Sequence, residues 1–337
     1  GGMIPFTTSA PGRLCLFGEH QDYLGLPVIA MAINRRCRLD WSPRSDSVIR
    51  LTSESMGEVT ELDLDQMGQG AGQNPWAVAL THILHDTGAT PKGMDIHIRS
   101  DIPIQAGCSS STALMTAWTA GWSRVCGLEE STDELVRRCH HAEVLAFDGA
   151  GGDMDHFACA HGGIHRFGLG QSQALTPLSG TFILGDSGKP KDTQGHLARC
   201  KEARLPLMAD LDANPPHWNE EQRHLAEGTR INRNLEQEWA GHLSGGNVDD
   251  QSMGEALTLH HGVLRDVLGL STPRIEAMLD GALKAGAWGG KINGSGGGGC
   301  MFAYATESKV DSVIEAIMAA GAKGAWAVRM DEGVRHG

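Results

Sequence analysis

The sequence is short of several things, and each shortage closes off a class of function. No apolar run approaches the roughly 18 residues a bilayer-spanning helix needs, so no membrane partner is expected. Positive charge is scarce: 28 Lys and Arg face 41 Asp and Glu, a net charge of −13. A nucleic-acid partner calls for a basic face, so none is expected. An anionic small molecule stays open, because local backbone dipoles can hold a phosphate. The eight cysteines (15, 37, 108, 126, 139, 159, 200, 300) include no CxxC and read as reduced, mostly buried thiols of a cytoplasmic protein. No low-complexity tract, charge block or clear repeat occurs, and no secretory signal is read at the start. Gly1-Gly2 ahead of Met3 reads as a cloning remnant. The GxxxxGK[ST] pattern is missing too, so any phosphate loop here is of another kind.

What is present describes a globular chain. Its 337 residues, 40% hydrophobic and 20% charged, are enough for two domains or one large one. Val28 to Ile33, Arg38 to Trp41 and Val48 to Thr52 read as strands, and 94–100 alternates cleanly as another. Helices are expected over 76–87, 113–125 and 132–147, the last opened by a Ser131/Glu134 capping box. After a strand at 181–184, long helices fill 195–286. The remainder reads as a loop (289–299), a strand (300–305), a helix (308–320) and a strand (325–330). Strands dominate the first half and helices the second, which implies α+β architecture with domains at 3–178 and 179–337. His140-His141 and His260-His261 are adjacent pairs; on a helix such neighbours point apart, so a shared metal is not expected.

Four segments carry chemistry. Pro11 to Gly25 packs Arg13, Glu19, His20 and Asp22 behind the apolar run Leu14 to Phe17, the pattern of a buried strand delivering polar groups into a cleft. Pro103 to Ala113 is a Gly/Ser loop opening into a helix. Its unpaired amides at the positive end of the helix dipole make an anion site, and a serine hydroxyl there can ligate Mg²⁺. Gly289 to Cys300 holds five glycines among the six residues from 294. Such a run costs backbone entropy and suits close approach to something else. Glu143, with Asp153 and Asp155 beyond a Gly-rich turn, supplies carboxylates for a cation and for proton transfer.

Together these segments resemble the GHMP kinases, the family that takes in galactokinase, homoserine kinase, mevalonate kinase and phosphomevalonate kinase. Gly18-Glu19-His20-Gln21-Asp22-Tyr23 looks like the galactokinase GEHTDY signature, and Gly254 to Ser271 also resembles a galactokinase region. The resemblance implies a two-domain fold, with an N-terminal ribosomal-protein-S5-domain-2-like domain and a C-terminal ferredoxin-like α/β sandwich. It implies a small-molecule kinase using ATP and Mg²⁺. Gly107, Cys108, Ser109, Ser110, Ser111 and Thr112 would wrap the ATP phosphates, with Trp76 beside the adenine. Ser111 and Glu143 would hold Mg²⁺, and Asp155 would activate the substrate hydroxyl opposite Arg13. Glu19, His20 and Asp22 would bind sugar hydroxyls, and Gly296 and Gly297 would border the substrate. The substrate would be a monosaccharide or sugar derivative, phosphorylated at the anomeric hydroxyl by a monomer or homodimer.

The chain also departs from the galactokinase pattern. Ala150 stands where galactokinases usually carry an Asn that helps hold the sugar, Cys108 where they carry Leu, and Asp153 is an extra carboxylate. Gly185 to Thr193 follows different wording, and its Lys189 and Lys191 could meet an acidic substrate. A mevalonate-type kinase and a non-catalytic sugar- and ATP-binding sensor of the same fold are the rival readings.

Overall fold

The computed structural model describes residues 3–55, 57, 59–67 and 74–336, with only the backbone of 193 and 194. Two sheets organise it. The larger has seven strands: β1 (Phe6–Phe17), β2 (Val28–Pro43), β3 (Val48–Ser53), β4 (Val59–Asp63), β5 (Met94–Ser100), β6 (Ile164–Gly168) and β7 (Gln171–Ala174). They run in the order β4-β3-β5-β2-β6-β7, with β1 antiparallel on β2 from Phe6↔Trp41 to Phe17↔Ile29. The β3–β5 pair is parallel and the rest are antiparallel. The smaller sheet is antiparallel, in the order β11 (Gly324–Val328), β8 (Thr181–Asp186), β10 (Cys300–Ala305), β9 (Gly289–Asn293).

Two expectations about strands give way here, each for a packing reason. The polar run Asn34-Arg35-Arg36 was expected to separate two strands, yet β2 runs unbroken through it. Arg36 is 1% exposed because its guanidinium donates to Ser9 Oγ, Asp331 Oδ2 and the carbonyls of Glu332 and Gly333. All of these partners but Ser9 belong to a tail that returns to the large sheet through the bridges Ile33↔Met330, Gly162↔Glu332 and Ser9↔Arg335. Residues 289–293, expected to be loop, form β9. Their glycines meet close neighbours: a Cβ on Gly289 would lie 1.7 Å from the Gly254 carbonyl oxygen, and one on Gly290 would lie 2.4 Å from that of Phe302.

On the first sheet lie α1 (Pro75–Thr87), α2 (Ser110–Val125), α3 (Thr132–Glu143) and α4 (Met154–His161). The helix α2 is rich in Ala, Thr and Gly, and this lets it sit close to the sheet. A Cβ on Gly121 would fall 2.0 Å from the Trp41 ring. Ser131 Oγ accepts from Glu134 N at the start of α3. The helix stops at Glu143 rather than 147, giving way to a 3₁₀ turn and then to Asp148 at φ 53°. α7 (Asp250–Asp266), α8 (Pro273–Lys284) and α9 (Val310–Ala319) pack on the second sheet, while α6 (Glu220–Gly245) runs against β1 and β2 of the first and α5 (Thr193–Arg204) packs on α6 and the turn at Asp22–Leu24. Among the described residues, no helix is long and apolar enough to cross a membrane. All eight cysteines are free, and only Cys126 is not fully buried.

Candidate active site

The first and third of the sequence segments meet through buried charge. Arg13, on β1, is 3% exposed. Its Nε donates to Asp155 Oδ1 at 2.7 Å, and its Nη1 donates to the Gly107 carbonyl at 3.0 Å and to Asn293 Oδ1 at 3.2 Å. Asp155 sits in the first turn of α4. Burial raises its carboxyl, but Arg13 and then Lys191 outweigh that and hold it below its ordinary value. Asp153 is exposed and lines a different groove, so Arg13 selects Asp155 of the two.

The Gly/Ser loop is shaped from behind. Three successive carbonyls point inward: Ala106 O accepts from Cys300 N at 2.6 Å, Gly107 O from Arg13 and Asn293, and Cys108 O from Arg13 N at 3.1 Å. Gly107 (φ 88°) and Gly294 (φ 95°) interlock, and a Cβ on Gly107 would lie 2.1 Å from Asn293 O. The loop ends in Ser109 at φ 64°, and α2 begins at Ser110, three residues earlier than the periodicity suggests. Among the described residues, no side chain caps this 16-residue helix and the buried Ser109 Oγ has no hydrogen-bond partner. A helix dipole and uncapped amides beside a small-residue loop are what an anion site requires.

Two clefts flank this loop. One, of about 480 Å³, is walled by Leu51, Leu62, Ile98 and Leu114, with Trp76, Ser110 and Ser111 at its edge. The other is small, about 70 Å³, and is lined by Arg13, Glu19, His20, Asp22, Met154, Asp155, Lys191, Leu197 and Ser295 among others. Ser111 is exposed, and its neighbour Thr112 donates to Glu143 Oε1 at 2.6 Å. His156 Nε2 also bonds Glu143 Oε1, at 2.9 Å, and no described residue donates to Oε2. Hydroxyl and carboxylate oxygens beside an anion site suit a small hard cation that shares its coordination with phosphates. Among the described residues no three His, Cys, Asp or Glu gather as a self-sufficient metal cage.

The GEHQDY segment is held from inside more than it faces outward. Glu19 Oε1 accepts from Gly294 N at 2.5 Å and from Lys291 Nζ at 3.2 Å, both in the buried interior. The His20 Nε2–H donates to the Ser295 carbonyl, and Nδ1 accepts from Tyr23 OH, each at 2.8 Å. Both ring nitrogens are therefore engaged within the protein, and burial lowers the ring pKa to about 4. Asp22 accepts from Met154 N and Tyr23 N, and burial together with Asp155 pushes its carboxyl up to about 6. Of the glycines expected near substrate, Gly296 packs on Leu270 and Gly297 on His196. Lys189 is exposed, while Lys191 lines the small cleft.

Four residues of this framework escaped sequence reasoning. Asn293 joins β1 to the Gly/Ser loop through Cys15 N, Arg13 O and Gly107 O. Lys291 neutralises Glu19 and donates to Cys15 O at 2.8 Å. Arg204, at the end of α5, reaches Tyr23 OH and His20 O. His260 Nε2 accepts from Gly18 N and Glu19 N, while His261 turns away to Glu276 and Ile292 N, so the pair shares nothing. A lone lysine within an apolar glycine strand was the available signal for Lys291. The others offered none.

Sequence comparison places this framework among known proteins. The profile of the GHMP kinases N terminal domain matches residues 74–163, GHMP kinases C terminal matches 247–323, and the galactokinase galactose-binding signature matches 1–43. A mevalonate kinase of Thermococcus sibiricus is 29% identical over 93% of this chain and 92% of its own length. A galactokinase of Streptomyces coelicolor is 27% identical over 92% of this chain and 87% of its own. The crystal structure of Lactococcus lactis galactokinase complexed with galactose superposes with a TM-score of 0.85, at 22% identity, covering 98% of this chain and 95% of that one. With both family domains and the signature matched in order along one two-sheet fold, this protein belongs to the GHMP kinases, small-molecule kinases that take phosphate from ATP.

Proposed function

We propose that the protein transfers the γ-phosphoryl group of ATP to a hydroxyl of a monosaccharide or sugar derivative, at the anomeric carbon. The observation that carries this reading is the Arg13–Asp155 pair, 2.7 Å apart, in a polar cleft beside the phosphate loop. Asp155, kept ionised by Arg13, orients the acceptor hydroxyl and takes its proton as transfer proceeds. The amides of 107–112 and Ser109 Oγ hold the phosphates, and the larger cleft takes the base against Trp76. Ser111 and Glu143 would hold Mg²⁺, which neutralises phosphate charge when bound. Asp22 offers a carboxylate to acceptor hydroxyls. Glu19 and His20 act through the segments they fix, since Lys291, Gly294, Tyr23 and Ser295 already occupy them.

The matched galactose-binding signature favours a sugar. Full-length likeness to mevalonate kinases favours the second reading, a mevalonate acceptor. ADP release measured against free sugars, uronic acids, amino sugars and mevalonate separates them. Turnover of mevalonate alone refutes the sugar. Tight nucleotide binding without turnover of any acceptor refutes the kinase assignment of the site and favours a sensor.

A further inference from the structure

Arg13 is the obvious cation for a phosphoryl group in flight, yet the geometry withholds it. Its Nε is spent on Asp155, and its Nη1 is spent on Gly107 O and Asn293 Oδ1. Its Nη2 faces the buried Glu19 at 3.9 Å, and its side chain is 4% exposed. Lys291 is likewise consumed by Glu19 and Cys15 O, with no exposed surface. His20 carries no charge near neutral pH, because burial takes its pKa to about 4. Among the described residues lining the small cleft, that leaves Lys191, half-buried and in ion-pair contact with no described carboxylate.

Its backbone is fixed between the two glycine loops. Lys191 N donates to Gln105 O at 2.9 Å, Asp192 N donates to Gly296 O at 3.3 Å, and Lys189 O accepts from Gly299 N at 2.7 Å. A Cβ on Gly298 would lie 2.5 Å from Pro190 O, so the segment lies directly against the loop. Lys191 thus starts beside the Gly/Ser loop and lines the cleft of Asp155, whose carboxyl its charge lowers. A group travelling from one to the other passes it.

We propose that Lys191, and not Arg13, is the side chain that meets the transferring phosphoryl group. The acceptor oxygen forms its bond to the γ-phosphorus while the bond from that phosphorus to the bridging oxygen breaks. The electron pair leaves on ADP and the hydroxyl proton passes to Asp155. Lys191 stays protonated throughout and offsets the charge on the equatorial oxygens. Arg13 is then a positioning residue, holding Asp155, the loop and Asn293 in register. The inference rests on phosphoryl transfer from ATP and not on the identity of the acceptor.

The test compares wild type, Lys191→Met and Lys191→Arg for ADP release with ATP against galactose and against mevalonate, alongside ADP affinity by calorimetry. Loss of a preorganised charge-stabilising donor lowers kcat by about 10²- to 10³-fold. That is expected for Lys191→Met with whichever of the two is turned over. Both KM values should stay within about threefold and ADP affinity should be unchanged, and Lys191→Arg should recover at least a tenfold part of the loss. An unchanged kcat overturns the proposal. So does a raised acceptor KM at constant kcat, which would make Lys191 a recognition residue. Turnover of mevalonate but not galactose counts against galactose as the acceptor and still reads Lys191 on mevalonate.

Discussion

Lys291→Met puts the charge network under the GEHQDY segment to a quantitative test. Lys291 is 0% exposed, and its ammonium donates to Cys15 O and Glu19 Oε1 with the Phe302 ring centroid 5.2 Å away. Methionine keeps the stem and its contact with the ring but removes the charge. Glu19 is then left buried with one amide donor, Gly294 N, and Arg13 at 3.9 Å. Removing one partner of a buried ion pair costs about 3–5 kcal/mol, because the other charge stays out of water. With a urea dependence near 3 kcal/mol per molar for a chain of this size, the midpoint should fall by about 1–1.7 M. Tryptophan fluorescence through a urea titration reads this directly. The double variant Glu19→Gln with Lys291→Met retains an acceptor for Gly294 N and buries no lone charge, so it should regain at least about 1 kcal/mol. A Lys291→Met midpoint within about 0.2 M of wild type, or a double variant no better than the single, refutes the reasoning.

Other outcomes follow from the same framework. Asp155→Asn should abolish transfer in the ADP-release assay and leave ATP affinity intact by calorimetry; full activity would move the proton acceptor to another group. Gly107→Ala meets Asn293 O at 2.1 Å and a φ of 88°, so it should lose about 2 kcal/mol or more and weaken ATP binding at least tenfold. Unaltered nucleotide affinity would show that the loop tolerates displacement. Burial lowers the pKa of His20 and of His260, so the unfolded chain binds more protons below pH 6.5. Stability should therefore fall as pH drops from 6.5 toward 4, by about 3 kcal/mol at the acid end for His20 alone. His260→Gln keeps an acceptor for Gly18 N and Glu19 N and should flatten that acid limb in urea midpoints taken between pH 7 and 5; an unchanged slope would exclude His260.

What could be read in the sequence was what is local. The Gly/Ser loop shows itself as Gly107-Cys108-Ser109-Ser110-Ser111 running into a helix, because uncapped amides and small residues are a short-range requirement. The helix over 75–87 and the strand over 94–100 show themselves by capping and alternation. What stayed hidden depends on partners far away in the chain. A polar run around Arg36 looks like a loop until residues 331–333 close over it, and Gly289-Gly290 looks like a loop until α7 and β10 press on it. Glu19, His20 and Asp22 read as one polar cluster. Two of the three turn inward, because Lys291, Ser295 and Gly294 come to meet them from about 275 residues downstream. Sequence spacing carries composition but not direction.

The tail that seals Arg36 sets an order of events in the making of the protein. Arg36 and Asp331 lie 295 residues apart, and Ser9 hydrogen-bonds with Arg335 in both directions. While the ribosome is still adding the intervening residues, β1 and β2 can pair, but a guanidinium meant for the interior has only water and Ser9. The amino-terminal sheet therefore waits, incompletely dressed, for a segment synthesised near the end of this stretch. A nascent chain halted before residue 330 should expose that seam to chaperones and proteases even though every candidate site residue, the last of them Gly297, has already been synthesised.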